Sequence, residues 1–224
     1  MTLSSRAWLS LAVLALVMGF VLFVTAGTVR YWQGWTYLAV LFASSALITI
    51  FVIRRDPALL ERRMSGGPTA EKRTTQKIIM VFTALGFFGL LIVPGLDRRY
   101  GWSDVPTFAV LAGDLMLAAG FYCILLVYKE NTFASATIEV AADQQVISTG
   151  PYAIIRHPMY AGGLLYLLGT PLGLASYWGF VPLAAFLPFL IWRILDEERL
   201  LHEQLRGYAE YQLKVRYRLL PRIW

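Results

Sequence analysis

The sequence predicts an all-α integral membrane protein with about six (five to six) transmembrane helices, a C-terminal amphipathic helix and both termini in the cytoplasm. Three observations lead there. Of 224 residues, 58% are hydrophobic and only 15% charged, a balance few water-soluble domains reach. The apolar residues gather in runs able to cross a hydrocarbon core, which takes ~20 helical residues. Lysine and arginine are unevenly shared among the connections, and that bias sets orientation.

The first run, 7–29, carries no charge. It reads as a retained helix: its apolar core is too long for a signal peptide, and no small-residue cleavage site follows before Arg30. The aromatic turn Arg30-Tyr31-Trp32-Gln33-Gly34-Trp35 suits an interface, and a second run over about 35–53 completes a hairpin. From 54 to 77 there are seven basic residues against three acidic ones, with a break at Ser65-Gly66-Gly67-Pro68. That stretch reads as a cytoplasmic linker on the headgroups. It closes an N-terminal unit, 1–77, ahead of a core over 78–224.

The third run, 78–95, ends near Pro94-Gly95, and an interfacial loop, Asp97-Arg98-Arg99-Tyr100-Gly101-Trp102, leads to the fourth, 105–128. Asp114 lies inside the fourth run, close enough to the outer interface to be hydrated, and is left out of the site. A polar connection over 129–156 is too long for a turn, and long loops commonly carry function. The fifth run, 158–175, contains four glycines and Pro171, and the sixth, 178–195, contains Pro182 and Pro188. Such breakers permit a bent hairpin in place of two straight spans. The tail, 196–218, repeats Leu201, Leu205, Tyr208, Tyr211 and Val215 at helical spacing, the stripe of an amphipathic helix. With the N-terminus inside, only Arg30, Arg98 and Arg99 of the 20 basic residues fall outside. The long loop and the acidic run 196–198 then share the cytoplasmic face, and the expected location is the bacterial inner membrane.

The composition also excludes functions. Cys123 is the single cysteine, and His157 and His202 are the only histidines, so neither a disulfide framework nor a cysteine- or histidine-rich metal centre is expected. The net charge of +6 fits positive-inside topology and anionic headgroups, not nucleic acid.

One stretch is chemically richer than a structural helix requires: Gly150-Pro151-Tyr152-Ala153-Ile154-Ile155-Arg156-His157-Pro158-Met159-Tyr160-Ala161-Gly162-Gly163. Pro158 disfavours helical backbone at His157 and suits the first position of a new helix. The cluster therefore sits at a helix N-terminus, where free N–H groups favour electron-rich ligand atoms. Arg193 and Glu197 are four apart, on one helix face, and three successive acids, Asp196-Glu197-Glu198, would suit a cation. Taken singly, these residues read as a helix-end ion pair, a capping histidine and interfacial tyrosines. Their combination makes a site.

Gly150-x-Tyr152-x-x-x-Arg156-His157-Pro158-x-Tyr160-x-Gly162, followed by Arg193-x-x-x-Glu197-Glu198 and Tyr208-x-x-Tyr211, resembles the isoprenylcysteine carboxyl methyltransferase family. That family belongs to a wider group of membrane methyltransferases that includes phospholipid N-methyltransferases. The resemblance spans roughly 130–221. It implies S-adenosylmethionine as cosubstrate, held by Gln144, Gln145, Val146 and Ile147 of the loop, then Tyr152, His157, Pro158, Met159 and Tyr160, and finally Glu197. A further loop contact of the family falls on Thr137. Arg193 matches the arginine that faces the acceptor, and with Arg156 forms the candidate catalytic pair; no metal is implied. The acceptor would be a lipophilic or prenylated molecule, an isoprenylcysteine-type carboxylate first, entering sideways from the bilayer. A phospholipid or small-lipid N-methyltransferase is the nearest rival, followed by a membrane sterol-type reductase and a non-enzymatic membrane protein.

Overall fold

The computed structural model describes residues 1–66, 71, 73–141 and 143–224. Lys72, Gly67 and Pro68 of the basic stretch lie outside the described residues. Among the described residues, eight α-helices and one 3₁₀ turn follow one another: α1 (Leu3–Ala26), α2 (Trp32–Arg55), α3 (Pro57–Met64), α4 (Thr74–Tyr100), α5 (Thr107–Glu130), the 3₁₀ turn Gly150–Ala153, α6 (Pro158–Gly173), α7 (Phe180–Gln204) and α8 (Tyr208–Lys214). No strand occurs among the described residues.

Helices α1, α2, α4 and α5 are each long and apolar enough to cross a membrane, which makes this an integral membrane protein. Their outward side chains are themselves apolar, as with Leu9, Leu16, Phe20 and Val24 on α1. Such surface suits lipid, and a helix meets its own backbone polar groups there. Helix α1 begins at Thr2, whose Oγ1 accepts the Ser5 amide, and ends at Gly27 in the left-handed region. Helix α6, at 16 residues, is shorter than a usual span.

Two expected boundaries move. Helix α4 does not stop at Pro94-Gly95 but runs through Pro94 to Tyr100. The expected loop acid Asp97 is thereby buried at 1% exposure. It accepts bonds from the Ser103 amide and hydroxyl and from the Ser176 hydroxyl, tying α4 to the α6–α7 turn. The tail is not one amphipathic helix over 196–218. Residues 196–204 extend α7, Gly207 adopts φ +85°, and only α8 follows. The apolar stripe still packs, with Leu205, Tyr208, Tyr211 and Val215 buried against Val140 and Val146 of the long loop.

Helices α5 and α6 make the closest approach. A Cβ at Gly113 would stand 2.3 Å from the Gly173 amide nitrogen, one at Gly120 2.6 Å from the Gly162 carbonyl, and one at Gly169 2.4 Å from the Gly113 carbonyl. Small residues at this seam let the backbones touch where lipid offers no hydrophobic drive. Two adjacent glycines provide the test. A Cβ at Gly162 meets the Gly120 carbonyl at 2.9 Å, whereas one at Gly163 finds only a Tyr166 ring atom at 3.9 Å. Gly162→Ala is therefore expected to destabilise the detergent-solubilised protein by ~1–3 kcal/mol through overpacking, and Gly163→Ala to leave the thermal midpoint unchanged or raised. Equal effects of the two would contradict this packing.

Candidate functional site

The site is organised by one buried carboxylate. Glu198, on the last turns of α7, accepts Arg156 Nε at 2.7 Å and His157 Nε2 at 3.2 Å on one oxygen, and Arg218 Nε at 2.8 Å on the other. A carboxylate partner fixes the proton of His157 on Nε2. Arg156 Nη1 also donates to the carbonyls of Val215 and Arg216, and the Arg156 and His157 amides bond the carbonyls of Tyr217 and Arg218. Three segments distant in sequence thus meet: the start of α6, the end of α7 and the tail. Burial by itself would raise the Glu198 carboxyl, but the hydrogen bonds from His157, Arg156 and Arg218 outweigh it and hold it at about 2.

Beside this clasp lies a cavity walled by the long loop, the 3₁₀ turn, α7 and α8. All twelve residues singled out in the sequence line it: Gln144, Gln145, Val146, Ile147, Tyr152, Arg156, His157, Pro158, Met159, Tyr160, Arg193 and Glu197. Thr137 lines it too. Each is placed for a local reason. Gly150, at φ +55°, turns the chain into the 3₁₀ helix that presents Tyr152. The Tyr152 hydroxyl accepts Asn131 Nδ2 at 2.8 Å and its carbonyl accepts the Tyr211 hydroxyl at 2.7 Å, so loop and α8 are pinned to the same residue. Burial pushes the Tyr152 hydroxyl up to about 12, leaving it neutral. Pro158 opens α6 at its first position.

Arg193 and Glu197 do not pair directly but meet through one hydroxyl: Tyr160 Oη donates to Glu197 Oε2 at 2.6 Å and accepts from Arg193 Nε at 3.1 Å. The remaining Arg193 donors are committed as well. Nη1 donates to Glu71 at 3.2 Å and Gln76 at 2.8 Å, and Nη2 to Glu71 at 3.2 Å and the Ala136 carbonyl at 3.1 Å. All five guanidinium hydrogens are used. Glu71 is almost fully buried and also accepts the Ile138 amide, and Gln76 bonds Asp196. Glu197, by contrast, has only Tyr160 as a hydrogen-bond partner among the described residues.

Sequence reasoning missed these linker residues. The 54–77 stretch does more than rest on headgroups: Leu59 and Leu60 are buried, Arg62 bonds Thr132, and Arg63 bonds the Ser135 carbonyl. Nothing in a charge-rich segment marks which acid will reach an arginine 122 positions away. Tyr208 was visible as half of Tyr208-x-x-Tyr211, yet its role was not. The residue lines the cavity, and its buried hydroxyl has no hydrogen-bond partner among the described residues.

A second, apolar cavity opens between α2, α4, α5, α6 and α7. Phe121, Ile124, Leu164, Leu167, Phe186 and Leu190 are among its walls, and it shares Ser135, Met159, Tyr160 and Arg193 with the polar one. The site can therefore bring a polar ligand and a lipid-like one to a common wall.

Comparison with known proteins adds two findings. The model of the phospholipid methyltransferase family matches residues 108–206, from α5 to just past α7. Delta(14)-sterol reductase of Mus musculus is 31% identical over 91 residues, covering 39% of this chain. The matched stretch spans 22% of the reductase's length.

The clasp carries a pH signature. Because the Glu198 carboxyl falls from 4.5 to about 2 on folding, its contribution is fully present above about pH 4.5 and is lost as pH falls through about 2. The gap in thermal midpoint between wild type and Glu198→Gln is thus expected to be wide at pH 6 and to shrink towards pH 2.5. A gap independent of pH would contradict the clasp.

Proposed function

We propose that this chain transfers a methyl group from S-adenosylmethionine to a lipid-like acceptor delivered from the bilayer. The observation that carries the reading is the junction of the polar and apolar cavities at Met159, Tyr160 and Arg193. Its support is the match to a methyltransferase family over residues 108–206. The residues present fit the cosubstrate. Glu197 is a carboxylate without a cationic partner among the described residues, Tyr152 and Tyr160 offer aromatic faces to a sulfonium, and Tyr208 holds an unpaired buried hydroxyl for a polar edge. When bound, the cosubstrate supplies an electrophilic methyl carbon whose bond to sulfur breaks as the acceptor's lone pair forms the new one.

The protein's part is positioning, which dominates in-line displacement. Gln144, Gln145, Val146 and Ile147 form the loop wall, and His157, Pro158 and Met159 the opposite one. Arg193 holds Tyr160, and through it Glu197, at a fixed distance from the apolar cavity. In this reading both termini are cytoplasmic, α6 and α7 complete six crossings of a bacterial inner membrane, and the core is 78–224. The acceptor group is an isoprenylcysteine-type carboxylate, which arrives ionised and needs no base. A phospholipid amine is the second reading, favoured by the description of the matched family. The partial likeness to a sterol reductase makes nicotinamide cofactors the control ligand.

Calorimetry of S-adenosylhomocysteine with the detergent-purified protein tests the proposal. Wild type is expected to bind. Glu197→Gln should weaken binding about tenfold or more, as for a lost charged contact, and Tyr208→Phe about fivefold, as for one lost hydrogen bond. A folded, monodisperse wild type that binds neither S-adenosylmethionine nor S-adenosylhomocysteine would overturn it.

A further inference from the structure

Resting on the reading above, we infer that Arg63 of α3, and not Arg193, is the cation that receives an anionic group of the lipid acceptor. The argument begins from saturation. Every Arg193 hydrogen has a protein acceptor, and its charge is balanced by Glu71 at 3.2 Å with only 1% of that side chain exposed. An acceptor anion could reach Arg193 only by breaking a buried ion pair, and removing one partner of such a pair is strongly unfavourable.

Arg63 differs in each respect. Its Nη1 donates to the Ser135 carbonyl at 2.8 Å and weakly to Met159 Sδ at 3.8 Å. Among the described residues no acceptor engages Nε or Nη2, and no carboxylate pairs with it. It lines the apolar cavity and not the polar one, with its guanidinium carbon 5.7 Å from the Tyr128 ring centroid. Met159, which it touches, belongs to both cavities, so the charge stands one side chain from the junction. Among the described residues, the only ionised groups on the wall of the apolar cavity are Arg63 and the neutralised Arg193, and no acid is among them. A low-dielectric wall with one uncompensated cation selects an anion and disfavours a bare ammonium. Arginine's planar fork takes a carboxylate and a phosphodiester alike. The shared chemistry is therefore an oxyanion on a long apolar chain.

The experiment measures lipid binding, without turnover, to the full chain in detergent with S-adenosylhomocysteine present. Two probe pairs differ only in carrying or lacking the anionic group: N-acetyl-S-farnesylcysteine against its methyl ester, and phosphatidic acid against diacylglycerol. Wild type is expected to prefer the anionic member of one pair about tenfold or more; the pair that responds tells carboxylate from phosphate. Arg63→Gln should abolish that preference, Arg63→Lys keep part of it, and Arg55→Gln, an exposed charge on the same stretch, keep all of it. An S-adenosylhomocysteine affinity unchanged in Arg63→Gln reports an intact fold. Wild type without preference in either pair, or a preference that survives in Arg63→Gln, would overturn the assignment of Arg63. Loss of S-adenosylhomocysteine binding by wild type would instead strike the methyltransferase reading, since the lipid measurement stands apart from it.

Discussion

A single carboxylate, Glu198, is the constraint on which the rest of the site depends. Buried acids are costly unless paired and hydrogen-bonded, and this one is met by Arg156, His157 and Arg218. The cost is turned into geometry. Because the partners come from the start of α6 and from the tail, satisfying one carboxylate brings both to the end of α7. Arg156, expected to act in catalysis, lines the cavity and donates from Nε to Glu198 and from Nη1 to tail carbonyls. With the clasp set, α8 closes over the loop through Tyr211 and Tyr152, and the cavity acquires its roof.

The membrane half follows a different rule. Between helices in lipid there is little hydrophobic gain, so association rests on close packing and on a few polar contacts. The glycine seam of α5 and α6 supplies the first. The second comes at the far end, where Asp97 gathers two serines and the Tyr31 hydroxyl bonds the Leu174 carbonyl. Rigid helices anchored at one end hold the first residues of α6 at a fixed depth, and those residues form one wall of the candidate site.

How far the sequence could be read depends on the range of the interaction. Four spans were legible because hydropathy needs only neighbours, and the start of α6 because Pro158 acts on the residue before it. The candidate site residues were legible as a motif, and they do gather around one cavity. What escaped has a long-range cause. Pro94 was taken as a terminator, but its helix continues because Asp97, one turn on, finds serines from two other segments. The stripe 196–218 looked continuous, but Gly207 in the left-handed region divides it. The pairing of Arg193 with Glu71 and the exposure of Arg63 to the apolar cavity could not be read from charges in a linker, since charge counts carry no direction.

The central claim is that the loop, α8 and the start of α6 enclose one cosubstrate cavity beneath the Glu198 clasp. Hydrogen–deuterium exchange of the detergent-solubilised protein, with and without S-adenosylhomocysteine, tests it most directly. The account predicts slowed exchange in 143–149 and 205–215, and no change in 101–106 at the opposite end. Protection confined to other segments, or none at saturating ligand, would contradict it.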